Sequence, residues 1–177
     1  MKFDTGTELP DNFVLTKEFS DVYNLINDTN LNLFITGKAG SGKSTLLEYF
    51  RQNTNKNFVT LAFQGITAIK AKGQTLHSFF KFGPHFLAKE EIKLLKDKSL
   101  IQSLDTILID EISMVRADLF DAIDLSLKKN RKNNKPFGGV QMIVFGDVMQ
   151  IDPIVGSSDE DMMEKFYPKG RFFFNSN

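Results

Sequence analysis

The chain has 177 residues, enough for one domain, and its 22 Lys+Arg balance 22 Asp+Glu to a net charge of zero. That balance argues against a histone-like or arm-like nucleic-acid binder, although a short groove with a few local contacts stays open. The absence of cysteine removes disulfide frameworks, thiolate zinc sites and a cysteine nucleophile. No apolar run approaches the roughly 18 residues needed to span a bilayer, and MKFDTGTELP lacks the apolar core of a signal peptide. The expected setting is therefore cytoplasmic, away from membranes.

Residues 1–14 read as a polar, flexible lead-in with Gly6 and Pro10. Thr16 can cap a helix that places Phe19, Val22, Tyr23 and Ile26 at i, i+3, i+4 and i+7. LNLFIT (31–36) reads as a buried strand ending at a glycine-rich turn, and a helix is expected over about 43–52. FVTLAF (58–63) is a second short β-rich run, and 66–82 should hold helix-turn pieces. Residues 88–97 have the pattern of a short amphipathic helix. LDTILI (104–109) and VQMIVF (140–145) are further strand candidates, with a helix over 117–129 between them. KKNRKNNKPFGG (128–139) reads as a polar loop whose cations are solvated, and 159–166 as an acidic, solvated helix. A phosphate-contact patch is the alternative reading of the basic run. Strands alternating with helices argue for βαβ crossovers and a mostly parallel sheet with ligands at its carboxyl edge.

Three segments carry chemistry. Gly37, Lys38, Ala39, Gly40, Ser41, Gly42, Lys43 and Ser44 match G-x-x-x-x-G-K-[ST] between a strand and a helix. Such a loop turns backbone N–H groups onto phosphate oxygens. Lys43 would reach the β- and γ-phosphates, and the Ser44 hydroxyl would bind Mg²⁺. Ile107-Leu108-Ile109-Asp110-Glu111 delivers two adjacent carboxylates from an apolar strand: Asp110 for Mg²⁺, Glu111 as general base toward water. Gly146-Asp147-Val148-Met149-Gln150 again follows a strand, and Gln150 could sense the γ-phosphate, although five such residues also make an ordinary turn. His77 and His85 lack a third ligand and do not read as a metal site.

Together, FITGKAGSGKST (34–45), TLHSFF (75–80), LIDEISMV (108–115), PFGGVQ (136–141) and GDVMQIDPI (146–154) resemble the Pif1-type branch of superfamily 1 helicases over nearly the whole chain. The resemblance implies a P-loop NTPase fold, an α/β RecA-like first motor domain spanning 15–177, with a small wedge insertion at about 81–98. It implies ATP with Mg²⁺ as cofactors, Gly37 to Thr45 as the nucleotide loop, and a 5′→3′ DNA helicase acting in repair, recombination or telomere and replication maintenance. It also implies a partner in single-stranded or forked DNA, contacted through Gln64, Gly65, Ile66, Thr75, His77 and Ser78, and a monomeric motor. The second RecA-like domain, with its arginine finger, falls outside this sequence, so the chain reads as a fragment expected to turn ATP over weakly by itself. The sequence departs from the family pattern at Phe19, where a nucleotide-sensing Gln aligns, at Phe63-Gln64, at Lys72 and at Asp152. The rival reading is a P-loop switch or scaffold with little turnover.

Overall fold

The computed structural model describes residues 9, 13–70 and 73–177. Most of the expected lead-in, with Gly6 and Pro10, lies outside the described residues, as does Lys72. Helix α1 (Lys17–Asp28) starts where expected: the Thr16 hydroxyl accepts the Phe19 amide at 3.2 Å. Strand β1 (Leu33–Thr36) runs into the glycine-rich loop, and α2 (Lys43–Asn53) leaves it. Then follow β2 (Phe58–Ala62), α3 (Gly65–Lys70), the two-residue β3 (Gln74–Thr75), α4 (Leu76–Phe80) and α5 (Ser99–Ser103). Strand β4 (Thr106–Asp110), helix α6 (Ala117–Arg131), strand β5 (Gln141–Gly146) and helix α7 (Glu160–Phe166) complete the order.

The five strands form one all-parallel sheet in the order β1-β5-β4-β2-β3. Helices cover both faces, which is why the strands read as continuous apolar runs. On one face Leu108, Ile143 and Phe145 pack against Ile26 of α1 and Leu46, Leu47 and Phe50 of α2. On the other, Ile107, Ile109, Met142 and Val144 meet Leu119, Ile123 and Leu127 of α6 together with the phenylalanines of α4. The register aligns strand ends: Thr36 pairs with Gly146, and Ala62 with Asp110. Every chemically suggestive segment therefore leaves the sheet at its carboxyl edge.

The edge pairing of β3 was not legible in the sequence, because two residues carry no periodicity. It depends on Gly73. A Cβ there would sit 2.0 Å from the Thr60 carbonyl oxygen, inside any tolerable contact. Gly73→Ala is expected to destabilise the domain by about 1–3 kcal/mol through this forced displacement, read as a lowered urea midpoint at unchanged slope.

Three expectations are corrected. Residues 88–97 are not an amphipathic helix: only Lys89–Glu91 form a 3-10 turn. Tertiary partners take the backbone groups a helix would need, since the Leu95 amide donates to Asn130 and the Ile92 carbonyl accepts Lys129 at 2.8 Å. The basic run is not simply solvated. Helix α6 extends to Arg131, whose guanidinium donates to the carbonyls of Ile101, Gln102, Leu104 and Gly138. Lys128 pairs with Asp124. Nor is the acidic segment wholly a solvated face, because Asp159 is buried against Arg116.

Candidate functional site: a phosphate loop and two carboxylates at the sheet edge

The loop after β1 turns through two left-handed glycines, Gly40 at φ 78° and Gly42 at φ 87°, a region that side chains rarely enter. This conformation delivers Lys43 as the first residue of α2. Its ammonium folds back over the loop, donating to the carbonyls of Gly37 and Lys38 and lying 3.5 Å from the Ser41 hydroxyl. A lysine clasping the rim of its own loop stands where a phosphate would compete for the same ammonium. Ser44 is exposed in the first turn of α2, followed by the half-buried Thr45; Lys38 and Ala39 are exposed on the loop.

Two strands away, β4 ends at Asp110, and Glu111 follows it. Burial raises the Asp110 carboxyl above the usual range, opposed by a hydrogen bond from the Glu111 amide at 2.9 Å and by the nearby Lys43 charge. The donor set is sparse: one carboxylate at a strand end and one hydroxyl at a helix start. No group of three or more His, Cys, Asp or Glu side chains is gathered among the described residues. Both donors are hard oxygens, a set that fits Mg²⁺, which keeps several waters and takes phosphate oxygens.

Glu111 adopts φ 53°, ψ 48°, a left-handed conformation that costs an L-residue about 1–2 kcal/mol. The turn beyond it is closed by the Met114 amide on the Glu111 carbonyl and the Val115 amide on that of Ile112. The Glu111 carboxylate accepts the Thr67 hydroxyl at 2.7 Å. The sequence reading missed Thr67, which lies 44 residues away and matches no catalytic spacing.

Gln150 is exposed in the turn after β5, with its amide 3.2 Å from the Asp147 carboxylate. Asp147 also accepts the Met149 amide, so it organises the whole turn. Because β1 and β5 are paired at Thr36 and Gly146, this turn and the phosphate loop emerge side by side.

The residues expected to contact DNA fall into two groups. Gln64, Gly65 and Ile66 are exposed at the start of α3. Thr75 caps α4, its hydroxyl accepting the Ser78 amide at 3.2 Å, while Ser78 itself is exposed. His77 is half-buried, edge-on to the Phe63 ring. Burial, with the nearby Arg116 charge, holds its imidazole below the ordinary pKa and therefore neutral at pH 7. Phe19 packs edge-on against Phe13 and Tyr49 and serves the aromatic core beside α2.

A parallel sheet covered on both faces, with a glycine loop and a paired carboxylate strand at its carboxyl edge, defines a RecA-like P-loop NTPase domain. The model of the PIF1-like helicase family matches residues 14–167, and the chain belongs to that family. It is 39% identical over 152 residues to the ATP-dependent DNA helicase Pif1 of Psychrobacter sp. (strain PRwf-1), covering 78% of this chain and 22% of that protein. Against human ATP-dependent DNA helicase PIF1 it is 36% identical over 132 residues, covering 72% and 21%. The crystal structure of Bacteroides Pif1 bound to ssDNA superposes with a TM-score of 0.84 at 39% identity, covering 93% of this chain and 39% of that one. Candida albicans Pif1 superposes at 0.77 with 31% identity, covering 93% and 37%. The chain thus spans about a fifth of the length of these curated relatives. No helix among the described residues is long and apolar enough to cross a membrane.

Proposed function

We propose that this domain binds and hydrolyses ATP as the first motor lobe of a DNA helicase, using residues 15–177 as one unit. The observation that carries the reading is the alignment at one sheet edge of the Lys43 loop, the Asp110–Glu111 pair and the Gln150 turn. Loop amides from Gly37 to Thr45 cradle the phosphates, and the Lys43 ammonium exchanges its carbonyl partners for the β- and γ-oxygens. Ser44 and Asp110 would hold Mg²⁺, which would supply positive charge to the phosphates. Glu111 orients water and accepts its proton. Gln150, restrained by Asp147, sits beside the loop in a position to respond to the γ-phosphate.

The partner we propose is single-stranded or forked DNA. The support is the family and the exposed polar and apolar groups from Gln64 to Ile66 and at Ser78, with the half-buried Thr75 and the neutral His77 beside them. The 81–98 segment, which lines a cavity of about 990 Å³ together with Phe79 of α4 and Ile101 of α5, is the small wedge element in this reading. Arg116 does not act as a finger within the domain, because its guanidinium is committed to Asp118 and Asp159.

The test is Glu111→Gln in the full-length protein. The swap preserves shape and removes the proton acceptor, so ATP binding is expected to persist while turnover falls about 10²–10⁴-fold. Loss of binding with unchanged hydrolysis per bound nucleotide would make Glu111 a binding residue. A switch or scaffold is distinguished by wild-type turnover that DNA fails to stimulate.

A further inference from the structure

We infer that Thr67 is a positioning residue that restrains the Glu111 carboxylate and ties its release to occupancy of the α3 surface. The inference rests on the reading above, in which Glu111 serves ATP hydrolysis and Gln64 to Ile66 meet single-stranded DNA. Three observations carry it. First, the Thr67 hydroxyl donates to Glu111 Oε2 at 2.7 Å, a charge-assisted bond between helix α3 and the turn after β4. Second, Thr67 itself is buried, whereas Ile66 and Ile69 on the same short helix are 69% and 78% exposed. One face of α3 therefore touches the catalytic carboxylate and the other is open to a ligand with apolar faces, as nucleobases have. Third, α3 begins one residue past Phe63-Gln64 and spans only six residues, Gly65–Lys70, so a displacement at its exposed start is transmitted to Thr67 within its first turn.

A carboxylate engaged by a hydroxyl donor has one oxygen fewer to receive a proton from water. Without nucleic acid the bond holds Glu111 on α3. When a strand occupies Gln64 to Ile66, α3 shifts, the bond breaks, and Glu111 turns to its water. Both sites bias one bistable contact, which is what coupling between them requires.

Steady-state phosphate release by the full-length protein, with and without saturating oligothymidine, tests this. Thr67→Val removes the hydroxyl and keeps the branched shape. It is expected to raise DNA-free kcat about tenfold, the weight of one hydrogen bond to a charged group. The DNA-saturated kcat should stay near wild type, so the stimulation ratio collapses. Thr67→Ser, which keeps the hydroxyl, should retain the wild-type ratio; this separates hydrogen bonding from packing. The inference is overturned if Thr67→Val leaves the ratio unchanged, if it lowers both rates together, or if Thr67→Ser behaves as Thr67→Val. Failure here with Glu111→Gln still inactive removes only the Thr67 coupling, whereas an active Glu111→Gln removes the reading beneath it.

Discussion

Lys43→Ala is expected to abolish ATP turnover, lowering it by at least about 10²–10³-fold, while the domain stays folded. Removing one preorganised donor that meets charge developing on a reacting group has effects of that size. Lys43 is the ammonium held over the phosphate loop, and water entering its place brings no fixed positive charge. The fold should tolerate the change for separate reasons. Alanine is the best helix former, and position 43 opens α2. The helix is anchored by Leu46, Leu47 and Phe50, which remain buried. The lost interactions are hydrogen bonds to loop carbonyls that solvent can reach. Phosphate release and a thermal melt check both halves. Unchanged turnover would sink the P-loop assignment, and a collapsed melting temperature would give the lysine a structural role instead.

The second large effect is on stability. Arg116→Ala is expected to cost about 3–5 kcal/mol, the usual consequence of removing one partner from a buried ion pair. The guanidinium grips Asp118 with two parallel bonds, Nε at 2.9 Å and Nη2 at 2.8 Å, in the bidentate geometry that only arginine supplies. It also donates to Asp159 at 3.1 Å and to the His85 carbonyl at 3.1 Å. Asp118 is fully buried and accepts the Leu87 amide as well. Truncation would leave two carboxylates buried without their cation and unlock the start of α6, the 85–87 segment and the start of α7 together. Urea denaturation measures the loss. Asp159→Asn, which keeps a hydrogen-bonding group, should cost less. A change below about 1 kcal/mol for Arg116→Ala would place the triad among salt bridges of surface-like weight.

The same triad shows where sequence reading reached and where it stopped. In the sequence Arg116 simply follows the Asp110–Glu111 motif, and Asp159 reads as part of a solvated acidic run. They are 43 residues apart, and only the packing of α7 against α6 brings them together. The 88–97 segment failed for a related reason. Its lysines and apolar residues have helical spacing, but Asn130 and Lys129 bind backbone groups the helix would have used. Local propensity is a weak prior, and tertiary hydrogen bonds override it.

What the sequence determined by itself was local and contiguous. Gly37 to Ser44 encodes a phosphate loop because its glycines set the backbone angles and its lysine and serine follow at once, so no distant residue is needed to make it. The apolar runs of β2, β4 and β5 encode a doubly covered sheet because each can be buried only between two layers; β1, expected to be buried as well, lies at the sheet edge and leaves Phe34 exposed, because only β5 flanks it. The tertiary structure decided the rest. Parallel pairing in the order β1-β5-β4-β2-β3 brought three separated segments to one edge. The β2–β4 register, with Ala62 opposite Asp110, carried Thr67 to the carboxylate of Glu111. A pairing across 44 residues leaves no periodic or motif trace, because register is set by the sum of many burial choices along both strands rather than by the two residues that finally touch.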